Sequence, residues 1–421
     1  MKKRIVLAIM ICPLFLTACA KGTMPNNNII EQKDVITLNI LAGQSTSDAG
    51  IEDMIDEAIA DKFPNVYLEW ECVDWGERFD SQMQGRLAAG DVPDIIVGKA
   101  QDVYAYAASG NISPITIEGT QDIEETARSA VTIDGQIYGI PYNAWYQGVV
   151  YNKDIFQKLN LSIPQTHVEL EDVTEKLKAN NITPFAAHFQ EQWKTGNMTM
   201  QFLINDIFRK EKNWGEQFRT NEISLVGNEA VMKCIMQNKF VLDNSWKDAL
   251  VIEQAESDKR FAEEEAAMYL TGFWSLQSLN QYDSAFKYGI FPYPNEEGDS
   301  CLIKETNMTF MMSSTTEQKD LISQIFEELL QNEKLMNEIL SFTQTYPVIE
   351  GFPLPYESVI EEDIKAYEQK GQVVDATIGN NELIWKYQNN VAGEILKYLK
   401  GEKTIEEVLK FAEDNKNDSA N

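Results

Sequence analysis

The chain has 421 residues, 43% hydrophobic and 24% charged, which is enough for two lobes with sizeable cores. Its formal net charge of −30 at pH 7 excludes nucleic acid and an anionic membrane surface as partners, since both demand a basic face. The acidic residues are spread along the chain, with short clusters only at 263–265 and 361–363, and so read as a solubility feature.

Lys2, Lys3 and Arg4 form a charged start, and residues 5–16 an apolar stretch too short for an ordinary membrane span. Leu16-Thr17-Ala18-Cys19 resembles the lipobox of bacterial lipoproteins, which implies a signal peptide over 1–18 and a lipidated Cys19. Losing the three basic residues would take the net charge from −30 to −33. Residues 19–33, with three consecutive asparagines at 26–28, read as a flexible tether. Of five cysteines, Cys12 leaves with the leader and Cys19 carries lipid. Cys72, Cys234 and Cys301 remain, a poor disulfide framework read as small buried hydrophobes, with one pairing left open.

An α/β pattern follows. Residues 35–42 form a strand, and Asp48 is placed to cap a helix carrying Ile51, Met54, Ile55, Ala58 and Ile59. Val66, Leu68, Trp70 and Cys72 alternate with polar neighbours as in a half-buried strand. A helix with Phe79, Met83 and Leu87 stops at Gly90, and 93–97 is another strand. This β–α–β–α–β run predicts a mainly parallel sheet with ligands at the carboxyl ends of its strands.

Residues 132–159 organise the rest. Asp134-Gly135 closes a hairpin, and Pro141 interrupts pairing. An aromatic loop with Tyr142, Trp145 and Tyr146 then leads to a strand at 148–151. Asp154 is placed to cap the next helix. Beyond it the chain is mostly helical, at 169–180, 198–211, 228–242 and 257–265, with 184–197 a polar loop holding Trp193. Further crossings are expected at 288–294 and 344–355, and the last helices at 358–369, 382–399 and 404–414.

The ordered runs DGQIYGIPYN, VVYNKDIF and LNLSIPQTHVELEDV, then AAGDVPDIIV, RFAEEEAAMYLTGFWSL and GEKTIEEVL, resemble the extracellular solute-binding proteins of carbohydrate-importing ABC transporters, of the maltose-binding type. His167 stands where that family often has an aromatic, Asn160 where it often has glycine, and Glu264 or Glu265 at another usual glycine. The resemblance implies an α/β, two-lobed periplasmic-binding-protein-like fold, each lobe a mainly parallel sheet flanked by helices, with several hinge crossovers. The lobes are expected at 34–141 with 292–345, and at 142–291 with 346–421. It implies a lipid-anchored monomer on the outer face of the cell membrane that takes a mono- or oligosaccharide and hands it to a membrane permease.

Nothing in the sequence carries catalytic chemistry. His167 and His188 have no metal-ligand spacing, and no phosphate-cradling loop, dinucleotide fingerprint or nucleophile elbow occurs. No cofactor or metal is expected. A glycoside-processing enzyme would need two facing carboxyls, and no motif presents such a pair; a glycan-sensing or adhesive lipoprotein is the other alternative. The family's substrate-facing loops put Gln44, Ser45, Lys99 and Gln101 near the cleft. Trp75, Trp145, Trp193 and Trp274 lie at strand ends or between elements, where an indole can cover the apolar face of a pyranose while amides bond its hydroxyls. With Asn143 they make up the candidate ligand site.

Overall fold

The computed structural model describes residues 35–416, apart from 44–45, 48–49, 75–76, 283–285, 381–382 and 384. The leader, Cys19, the tether and Asp48 lie outside the described residues.

The opening alternation builds a doubly wound sheet. Strand β1 (Ile36–Gly43) pairs in parallel with β2 (Val66–Val73) on one side and with β3 (Ile95–Gly98) on the other. The helix Ile51–Ala60 crosses between the first two and buries Ile51, Ile55 and Ile59, one face at a four-residue spacing. Leu38, Ile40 and Ala42 share a core with that helix, while Leu41 and Ile96 pack on Phe79 and Met83 across the sheet. Burial on both faces is what a parallel sheet demands.

Strands β4 (Thr132–Ile133) and β5 (Gln136–Ile137) form the expected hairpin. Asp134 and Gly135 both have positive φ, 49° and 77°, as a twist-matched two-residue turn requires. Next come β6 (Ile140–Pro141), β7 (Asn143–Asn152), β8 (Thr183–Ala186), β9 (Ala266–Gly272), β10 (Tyr288–Phe291), β11 (Leu302–Thr306), β12 (Thr309–Met312), β13 (Tyr346–Pro347) and β14 (Val373–Asp375). The first sheet runs β2-β1-β3-β12-β6, so Pro141 sits on an edge strand, where its missing N–H is tolerated. The second runs β14-β11-β7-β9-β8, with β10 and β13 also paired to β7. Among the described residues this second sheet is mixed: β14 and β8 add in parallel, but every strand on β7 is antiparallel to it.

Three sequence expectations are corrected here. The aromatic loop before 148 is strand, because β7 begins at Asn143 and carries Trp145 and Tyr146 in its ladder. Asn152, not Asp154, caps the next helix: its Oδ1 accepts the Ile155 N–H at 2.9 Å. The chain does not leave the second sheet at 292, because β11 still pairs with β7 and the change of sheet comes at Asn307-Met308.

Asn143 ties the crossings together. Its backbone oxygen accepts the Asn307 N–H at 2.9 Å and its side-chain Oδ1 the Met308 N–H at 3.2 Å. Pro347 of the third crossing stands opposite it in the ladder. Asn143, one of the expected ligand residues, is buried, its amide oxygen is used by the backbone, and it is not among the residues that line the cavity described below.

Cys234 and Cys301 are buried free thiols, and Cys72 is half-buried on β2. Of the two candidate glycine positions before β9, Glu264 is the one with left-handed backbone, φ 62°, and its carboxylate takes a hydrogen bond from Asn152 at 3.1 Å.

Candidate functional site

A cavity of about 640 Å³ lies between the carboxyl end of β3 and the face of β7 and β11, a size within the ordinary range for small-molecule sites. Lys99 and Gln101 line it at the start of the helix Ala100–Ala108, directly after β3. Trp145 and Gln147 line it from β7, two residues apart and therefore on one face of the strand. Trp274 enters from the first turn after β9.

Trp193 also lines the cavity, but it is not on a loop. It belongs to the first turn of the helix Gln192–Leu203, which presents Trp193, Asn197, Met200 and Gln201 to the cavity at helical spacing. Five of the nine expected ligand residues thus meet here: Lys99, Gln101, Trp145, Trp193 and Trp274. Gln44, Ser45 and Trp75 lie outside the described residues, and Asn143 holds the backbone crossing.

The three indoles form one cluster around Trp274. Its ring centroid is 5.9 Å from that of Trp145 at 83° and 6.1 Å from that of Trp193 at 74°, both edge-to-face. The Nε1 donors of Trp145 and Trp274 are buried without an acceptor among the described residues. Buried indole N–H groups ordinarily find one.

Beside the indoles runs a chain of polar side chains that the sequence pattern did not reveal. Gln201 Nε2 donates to Asn197 Oδ1 at 3.0 Å, and Asn197 Nδ2 to Gln147 Oε1 at 2.8 Å. Gln147 in turn donates to Glu305 of β11, whose other oxygen is 3.8 Å from Lys99 Nζ. Two regularities could have exposed this chain: the two-residue step from Trp145 to Gln147, and the four-residue steps from Trp193 to Asn197 to Gln201.

Glu191 is a further carboxylate that lines the cavity. Its Oε2 accepts the Gln254 backbone N–H at 2.9 Å and lies 2.8 Å from His188 Nδ1. Burial raises its pKa, but the hydrogen bond from His188, the positive charge that ring takes up in acid, and the hydrogen bonds from Gln254 and Trp193 outweigh that and hold the carboxyl below its usual range. Burial pushes His188 down to about 4, so the imidazole is neutral and donates from Nδ1. Asp102 accepts the Lys99 N–H at 3.0 Å, and burial pushes its pKa up. Behind Trp193, fully buried Lys194 donates to the Leu270 carbonyl, and burial drives its pKa down to about 7 against the pull of Asp258 and Glu191.

Among the described residues no group of three or more histidine, cysteine, aspartate or glutamate side chains is placed to hold a metal ion, and no helix is long and apolar enough to cross a membrane.

The sequence pattern of the bacterial extracellular solute-binding proteins matches residues 42–334. The chain belongs to that family. Among relatives of this solute-binding protein, the multiple sugar-binding protein of Streptococcus mutans is 24% identical over 375 residues, covering 83% of this chain and 81% of the relative. Among solved structures, a chitin oligosaccharide binding protein superposes with a TM-score of 0.74 at 19% identity, covering 92% of this chain and 99% of its own. The solute-binding protein RafE in complex with raffinose gives 0.73 at 17%, covering 92% and 100%. Those two likenesses establish the two-lobed α/β fold of this solute-binding protein.

Proposed function

We propose that this solute-binding protein is the receptor of an ABC importer, capturing a mono- or oligosaccharide in the cleft and delivering it to a membrane permease. The observation that carries this reading is the cluster of Trp145, Trp193 and Trp274 beside fixed amides and carboxylates. Indoles cover the C–H face of a pyranose, and Gln147, Asn197, Gln201 and Glu191 supply partners for its hydroxyls. A site of this kind rejects molecules without hydroxyls, because its own polar groups would be left unpaired. The sugar-binding activity named for the Streptococcus mutans relative and for RafE with raffinose supports the same class of ligand.

In this reading one lobe is built on each sheet, and the lobes close about the three crossings at Asn143. Closure needs only a higher affinity of the closed state for ligand, with no covalent step. Acylation of Cys19 would hold the receptor on the outer face of the membrane beside its permease, with the net negative body kept monomeric and in solution.

The test is the thermal unfolding midpoint of the purified chain against maltotriose, raffinose, galactotriose and chitotriose. A ligand bound only by the folded state adds about 2.7 kcal/mol at a hundredfold excess over Kd. An upward shift with intact sugar recovered by chromatography supports the receptor. Released products would point instead to a glycoside-processing enzyme. Silence across the panel, repeated with amino acids and peptides, would remove the carbohydrate assignment.

A further inference from the structure

The charged groups that line the cleft are unequal in number. Among the described lining residues Asp102, Glu191 and Glu305 stand against one ammonium, Lys99. Lys99 is already engaged at 3.8 Å by Glu305, and its own backbone N–H is held by Asp102. Glu191 has a different environment. The His188 ring, the Gln254 N–H and the Trp193 indole that bond to it are uncharged donors, since buried His188 is neutral above about pH 4. The nearby cation on Lys194 is fully buried and discharges near neutral pH. Glu191 therefore keeps a localised negative charge at a fixed place in the cavity, beside the Trp193 indole.

We infer that the cleft selects uncharged saccharides over acidic ones, and that Glu191 is the side chain that enforces this choice. The inference rests on the receptor reading above. A neutral sugar offers hydroxyl donors, which an anchored carboxylate accepts as charge-assisted hydrogen bonds. A uronic acid brings a second carboxylate into the same confined space, where every cation lining the described cavity is already matched. Like charges set together in a cleft act against the wrong partner, a means of discrimination independent of how well the right one fits.

The experiment is titration calorimetry of the full chain with maltotriose, raffinose and galactotriose, each beside its counterpart oxidised to a carboxylate at one C6. The expected result is that the binding sugar loses affinity by about tenfold or more on oxidation, the scale of a like-charge contact. In Glu191→Gln the neutral sugar should weaken while the gap between the pair narrows, with the unliganded melting midpoint reporting that the variant is folded. Oxidised sugar bound as tightly as the neutral one would overturn the selection. A gap of unchanged size in Glu191→Gln would overturn the part given to Glu191. Binding of none of the six probes would count against the sugar receptor itself, and the inference would fall with it.

Discussion

Trp274 lies directly over Gly272: a Cβ on the glycine would stand inside the indole ring, against Cζ3 and Cη2. Gly272 has an ordinary extended backbone, φ −129°, so glycine is required here for space rather than for conformation. This gives the Gly272-Phe273-Trp274 run a physical reason. The strand must end on a residue with no side chain for the indole to fold back into the cluster. Gly272→Ala should move the ring, lower stability by about 1–3 kcal/mol as overpacking does, and weaken binding of whichever panel sugar binds by about tenfold. Tryptophan fluorescence and calorimetry read both effects, and unchanged affinity would take Trp274 out of the platform.

Asn143 holds a buried backbone donor at the change of sheet. Asn143→Ala leaves the Met308 N–H without its acceptor, which should cost about 1–3 kcal/mol. Urea unfolding measures the loss, and Asn143→Asp, which keeps the acceptor oxygen, should recover part of it.

Glu264 occupies a left-handed position where an ordinary side chain is strained by about 1–2 kcal/mol. Glu264→Gly should therefore be more stable than Glu264→Ala by about 1 kcal/mol. Both variants lose the hydrogen bond from Asn152, so their difference isolates the backbone. Equal melting midpoints would show the turn to be unstrained.

Lys194 links stability to pH. The unfolded chain keeps this proton up to about pH 10.4, whereas burial makes the folded chain release it above about 7. Between those values the unfolded state binds more protons, so stability climbs with pH. Lys194→Met should remove that climb. Its advantage over the parent should be greatest below pH 7 and shrink towards pH 10, as read from urea midpoints across the range. Parallel curves would show that the folded lysine keeps its proton.

The fold was legible where local chemistry decides it. Asp134-Gly135 announces its own turn, and the spacing of Ile51, Ile55 and Ile59 announces a helix with one buried face. The start of the Trp193 helix was hidden, although the spacing shows helix from 198 on, because Lys194, Thr195 and Gly196 give its first turns no apolar stripe. Lys194, Thr195 and Gln201 are buried on it, packed against other elements or beside the cavity. The crossing at 307–308 was hidden for another reason. Pro292 and Pro294 look like the end of a sheet, while the return of β11 to β7 is a pairing between distant segments that no local pattern encodes. In the site, the indoles stood out by residue type. Glu191, Gln147 and Glu305 did not, since a carboxylate or amide in so acidic and polar a chain becomes distinctive only once its partners are in place.

Strand β7 serves two purposes on its two faces. Trp145 and Gln147 look into the cavity, while Tyr146 and Val150 between and beyond them belong to the core on the other side. On the receptor reading proposed above, substitutions two residues apart would exchange one ligand for another while the intervening side chains keep the sheet packed. Insertion of a single residue would do the opposite. It would turn the indole into the core and the tyrosine into the cleft, so that binding and folding would be lost in the same step.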